Sequence, residues 1–176
     1  MREITIARNY AETLIALADQ AGALEQWGDM MDVAAAAFST DSIESVLMSP
    51  RVTRAQKITL ITDALHDAPR PFVLFLSAIV RRGRQMLFGA IADEYRHIVD
   101  VKMNRIRAGI TVAREIDAAA RDALVARLSA AIGKDVIAGF SVDPAILGGV
   151  TIRVGDRVYD GSVRKRLAVL KHKLMA

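Results

Sequence analysis

Apolar residues in the first hundred positions recur at intervals of three and four. Ala7, Tyr10, Ala11, Leu14, Leu17, Ala18 and Ala21 form one such stripe, closed by Gly22, as an amphipathic helix requires. Leu24, Trp27, Met31, Ala34 and Phe38 form a second. A short third helix, about Ser42 to Met48, is halted by Pro50, and Thr53 is placed to cap a fourth carrying Ile58, Ile61 and Leu65. The break Asp67-Ala68-Pro69-Arg70-Pro71 precedes a fifth, Phe72 to Arg82, apolar on every side and so predicted to be central. After Gly83 a sixth helix runs to about Asn104, with Leu87, Ile91, Tyr95, Ile98 and Val99 inward. Six short helices with brief connections predict a compact bundle.

The period changes near Ile106. Ile106, Ala108, Ile110 and Val112 alternate with Arg107, Gly109 and Thr111, the pattern of a half-buried strand. Asp117 then caps a helix bearing Leu124, Val125, Leu128 and Ile132, closed by Gly133, and Val136 to Val142 reads as a second strand. Asp143-Pro144 ends that strand, since proline lacks an N–H and biases its predecessor away from helix. Val150, Ile152 and Val154 alternate with Thr151 and Arg153, Gly155-Asp156 fits a two-residue hairpin loop, and Arg157-Val158-Tyr159 returns. Asp160-Gly161-Ser162 offers cap side chains to a last helix, Val163 to Leu174. The fold class is α+β: an N-terminal six-helix bundle over residues 1–105, then a small C-terminal α/β domain over 106–176 with a short sheet and two helices.

Composition narrows this picture. The 176 residues are 52% hydrophobic but only 5% aromatic, so the core must be aliphatic and alanine-filled. Without cysteine there is no disulfide or thiolate site. The longest apolar stretch, Phe72 to Val80 if Ser77 is tolerated, falls far short of the roughly 20 residues of a membrane-spanning helix. Met1-Arg2-Glu3-Ile4-Thr5 has neither a signal core nor a transit pattern, so the expectation is a soluble protein. Charge is uneven: residues 1–105 hold 12 Lys/Arg against 13 Asp/Glu, and residues 106–176 hold 12 against 7. A basic C-terminal part suits nucleic acid, a membrane surface or an acidic protein partner.

No catalytic, cofactor or metal constellation emerges. His66, His97 and His172 lie far apart, and the adjacent Asp93 and Glu94 point to different faces of a helix. Gly148-Gly149 lacks the lysine and following helix of a phosphate loop, so ATP binding is not expected. Trp27, Met30, Met31 and Met103 suit packing. Arg81, Arg82 and Arg84 beside Gly83 either offset the dipole at a helix C-terminus or meet a partner. The last helix carries Arg164, Lys165, Arg166, Lys171 and Lys173 with no acid, around a stripe of Val163, Leu167, Leu170 and Leu174. Its basic face is either simply solvated or a docking surface for an acidic partner; nucleic-acid binding is disfavoured by the absence of accompanying stacking aromatics. Tyr10, Thr13, Leu14 and Leu17 on the first helix, and Phe75, Ala78, Ile79 and Arg82 on the fifth, either fill the bundle core or form a groove for an amphipathic helix.

Three blocks resemble one family. They are Ala7-Arg8-Asn9-Tyr10-Ala11; Phe72 to Arg84 closing on Arg82-Gly83-Arg84; and the C-terminal run with its Asp-Pro turn, Leu147-Gly148-Gly149-Val150, Gly155-Asp156 and Asp160-Gly161-Ser162-Val163 followed by Leu167. In order and spacing they resemble the δ subunit of bacterial F-type ATP synthases, the family of the mitochondrial oligomycin-sensitivity-conferring protein. The resemblance implies a non-catalytic stator subunit without a cofactor, peripheral at the cytoplasmic face of the membrane. It implies that the helical domain binds N-terminal helices of the α subunits through Tyr10, Thr13, Leu14, Leu17, Phe75, Ala78, Ile79 and Arg82. It further implies that the C-terminal domain meets the b-subunit stalk through the basic region that includes Arg164 and Lys165. Asn9 and Arg82 depart from the family pattern. The competing class is a basic nucleic-acid-binding regulatory protein, which predicts salt-sensitive binding to DNA or RNA. The 71 residues of the C-terminal part, lacking disulfide or metal, are expected to be marginally stable alone.

Overall fold

The computed structural model describes residues 2–175. Contacts divide the chain into two units, one up to Val99 and one from Asp100 onward. The first contains α1 (Arg2–Gln20), α2 (Leu24–Phe38), α3 (Asp41–Met48), α4 (Arg54–Ala64), α5 (Arg70–Arg81) and most of α6 (Phe88–Lys102). The second continues with β1 (Arg105–Val112), α7 (Ala118–Ile132), β2 (Asp135–Val142), β3 (Val150–Val154), β4 (Arg157–Asp160) and α8 (Val163–Met175). This is the expected mixed α+β class.

Local chemistry sets the helix ends. Thr53 forms a capping box with Gln56: its Oγ1 accepts from the Gln56 N–H, while Gln56 Oε1 accepts from the Thr53 N–H at 2.9 Å. The sixth helix starts later than its periodicity suggests. A 3₁₀ turn over Gln85–Leu87 comes first, and α6 opens at Phe88. A repeat of three or four marks which face is inward but does not separate a tight turn from an α-helix.

The core of the first unit runs along α5, which packs against α4 and α1. Phe72, Val73, Phe75, Leu76, Ser77, Ile79 and Val80 are all buried, and Ser77 is satisfied by donating to the Val73 carbonyl at 2.8 Å. Leu74 is an exception to the fully apolar, enclosed helix expected here, being 58% exposed. Trp27 meets Phe72 edge-on at 5.8 Å, and Phe38 lies 4.6 Å from Phe88, geometries that add to plain area burial. Tyr95, buried in α6, donates its hydroxyl to the Leu24 carbonyl at 2.8 Å.

In the second unit the strand order is β2-β1-β3-β4. β1 lies parallel to β2 and antiparallel to β3, with Ile110 paired to Phe140 on one side and Ile152 on the other. The parallel pairing follows from the α7 crossover. Asp117 caps α7 by accepting from the Ala120 N–H at 2.7 Å. Ala108, Ile110 and Val112 are buried as the alternation of β1 predicts, whereas Ile106 is half-buried; Val136 is the buried position of β2.

Candidate functional site

The C-terminal signature proves to be a backbone clasp. The chain passes Gly148-Gly149 directly beneath Gly161-Ser162-Val163. Gly149 has φ +78°, and a Cβ there would stand 2.5 Å from the Gly161 carbonyl oxygen. A Cβ on Gly148 would meet Val163 at 3.1 Å. Only glycine permits both the left-handed turn and the approach. Two backbone bonds close the clasp: Gly161 N–H to the Val150 carbonyl and Val163 N–H to the Gly148 carbonyl, each 3.0 Å.

Polar side chains complete it. Asp160 Oδ1 accepts from the Ser162 N–H at 2.9 Å and from Thr151 Oγ1 at 3.3 Å. Those bonds, with the Ser162 ones foremost and Lys165 nearby, hold the Asp160 carboxyl below the usual carboxylate range. Ser162, fully buried, caps α8 by accepting from the Lys165 N–H at 3.1 Å. The C-terminal run thus fixes the start of α8 through backbone and cap contacts.

The helix so launched keeps its apolar stripe in solvent. Leu167 is 51% and Leu174 79% exposed, and Val163 and Leu170 are exposed as well. Arg164 and Lys165 are exposed beside them. The stripe read in the sequence exists, and among the described residues its side chains remain between 37% and 79% exposed.

On the first unit, the two predicted rows divide between core and surface. Leu14 and Ile79 are fully buried where α1 and α5 pack, so they hold these helices in place rather than lining an open groove. Tyr10 and Phe75 are also buried and meet edge-on at 6.2 Å. Leu17 and Ala78 are half-buried, whereas Thr13 and Arg82 are exposed. The surface available on these rows is therefore Thr13, Leu17, Ala78 and Arg82.

Arg84 joins this region, and its pairing with Tyr10 is not legible in sequence. α5 ends in a Schellman turn: Gly83, at φ +68°, donates to the Val80 carbonyl and Arg84 N–H returns to the Ile79 carbonyl at 3.0 Å. That reversal brings Arg84 alongside Arg82, and both guanidinium groups donate to the Tyr10 hydroxyl, at 3.3 and 3.2 Å. They also lie 5.7 and 5.9 Å from the Tyr10 ring centre. No local motif links residues more than 70 positions apart.

A cleft of about 400 Å³ opens elsewhere in this unit, between α2, α3, the 3₁₀ turn and α6. Of its acids, Asp32 accepts from Arg96 Nε at 2.6 Å, the exposed Asp93 lies 3.9 Å from the same guanidinium, and Glu44 is exposed. Among the described residues no group of three potential metal ligands occurs, and no helix is long and apolar enough to cross a membrane. His66, His97 and His172 are exposed and separate.

Known proteins show the same pattern from end to end. The family described as ATP synthase delta (OSCP) subunit matches residues 6–174. The ATP synthase subunit delta of Gemmatimonas aurantiaca is 42% identical over 172 residues, covering 97% of this chain and 93% of that relative. That of Desulforamulus reducens is 34% identical over 173 residues, with 97% and 96% covered. In fold, a chain of the cryo-EM structure of the Toxoplasma gondii mitochondrial ATP synthase hexamer superimposes with a TM-score of 0.66 at 20% identity, covering 97% of each chain.

Proposed function

This chain belongs to the ATP synthase delta (OSCP) subunit family, and from that premise we propose how it works as a mechanical tie. It is a stator component of the F-type ATP synthase. In our reading it has no catalytic site of its own and serves peripherally at the cytoplasmic face of the membrane. Its helical part, acting as one six-helix bundle, receives the N-terminal helices of the α subunits on the α1–α5 surface. Its C-terminal part grips the b-subunit stalk through α8. Torque on the catalytic head is then resisted by two buried interfaces rather than by scattered exposed ion pairs, each of which contributes little.

The observation that carries this reading is the exposed stripe of α8. Leu167, Leu170 and Leu174 stay in solvent beside Arg164, Lys165 and Lys171, a combination that marks an interaction surface. An apolar stripe with basic flanks fits an acidic amphipathic helix. The test is reconstitution with the catalytic head and the soluble part of the b subunit. Wild-type protein should bridge the two. Leu167→Asp with Leu170→Asp should retain the head and lose the b subunit by at least about a hundredfold in affinity, as for charges buried unpaired in an interface. Undiminished capture of the b subunit by that variant would refute the assignment of α8.

A further inference from the structure

Arginines gather at the C-terminal end of α5. Arg82 and Arg84 both point at one neutral oxygen, the Tyr10 hydroxyl. Arg54 reaches the same turn: its Nη1 donates to the Arg81 carbonyl at 3.2 Å, and its Nη2 lies beside Gly83. Arg81 is the fourth, on the last residue of the helix. Among the described residues no carboxylate pairs with any of these four, although Arg8, Arg96 and Arg107 elsewhere each have one.

Offsetting the helix dipole does not explain the arrangement. The free carbonyls at the end of α5 are already occupied by the Arg82, Gly83 and Arg84 amides and by Arg54. Two further guanidinium groups are then drawn together onto one phenol, where their like charges repel and the hydroxyl offers no compensating charge. A carboxylate placed there would accept from both and relieve that repulsion. The preorganisation is in place, because the Schellman turn and the Tyr10–Phe75 contact fix both arginines and their anchor.

We propose that Arg82 and Arg84, held by Tyr10 and backed by Arg54 and Arg81, form a carboxylate-receiving site for an acidic side chain of the helix that docks on the α1–α5 surface. This rests on the reading of that surface given above and adds to it a register mark. Apolar contacts alone let an amphipathic helix slide by a turn; one acid seated between two fixed guanidinium groups permits a single register.

The test titrates the full-length protein with a synthetic peptide of the cognate α-subunit N-terminal segment. A second peptide has its acidic residues changed to the corresponding amides. Arg82→Gln with Arg84→Gln should weaken the native peptide about tenfold at low salt, with the loss shrinking at high salt. The amide peptide should bind wild-type protein about tenfold more weakly and should not distinguish wild type from the double variant. Because the amide peptide leaves the protein unaltered, that comparison decides even if the variant folds poorly. Tight native-peptide binding indifferent to both changes would overturn the carboxylate site and leave the docking surface standing. No binding of either peptide to wild-type protein would overturn the docking surface and the site together.

Discussion

Single side chains here act chiefly as fixed points between helices, and Tyr95 shows what that costs. Its phenol is enclosed in the first unit and donates to the Leu24 carbonyl. Burial, reinforced by the negative charge of Asp19, pushes it up to about 12 from an ordinary 10.0. Between those values the unfolded chain gives up the phenol proton while the folded chain keeps it, so the unfolded state binds fewer protons. Stability must therefore fall as pH rises across this window. Tyr95→Phe removes one buried hydrogen bond, costing about 1 kcal/mol near neutrality, and removes this alkaline dependence. Melts of both proteins from pH 8 to pH 12 should show a gap that closes towards the alkaline end. A gap constant through pH 12 would mean that the phenol ionises freely in the folded state.

Among the elements, the glycine clasp under α8 is the most demanding piece of local geometry. Gly149→Ala forces a Cβ against the Gly161 carbonyl in a left-handed backbone, and should destabilise the second unit by about 2 kcal/mol or more. Gly139→Ala in β2, where an added Cβ meets nothing and φ is ordinary, should change stability by less than about 0.5 kcal/mol. Denaturant melts followed by circular dichroism compare the two, and equal effects would remove the close approach as the reason for the motif. The same contrast shows what sequence could reveal. Helix limits with a local stop signal were legible, since Gly22, Thr53, Asp117 and Gly133 each act within a turn of their own position, whereas the start of α6, which has none, was not. Strand identity was legible from alternation, but strand order was not, because a period of two is the same whether Ile110 faces Phe140 or any other apolar residue. The surface rows mixed core with surface for a related reason. Periodicity places Leu14 and Leu17 on one side of α1, and only the packing of α5 buries the first and leaves the second half open.

At the scale of the whole molecule, charge and cover are distributed unequally between the two units. The second carries the surplus of basic residues and an α8 whose apolar stripe is exposed. No residue of α7 is fully buried, and none of α8 is. A unit whose two helices bury no residue fully, and which has no cysteine for a disulfide, is expected to have little stability in reserve. Hydrogen exchange should show amides of β2 and α8 exchanging early in the free protein and gaining protection once the b subunit is bound. Strong protection in both states would mean that this unit is rigid unaided. A different property follows from the position of β1. The chain enters the second unit through α6 and passes at once into the strand that lies inside the sheet, bonded to β2 on one side and β3 on the other. A tug along the polypeptide from the helical unit is therefore met first by a strand held by two ladders at once. Had the entering strand been β4, at the rim, the same tug would have met one ladder instead of two.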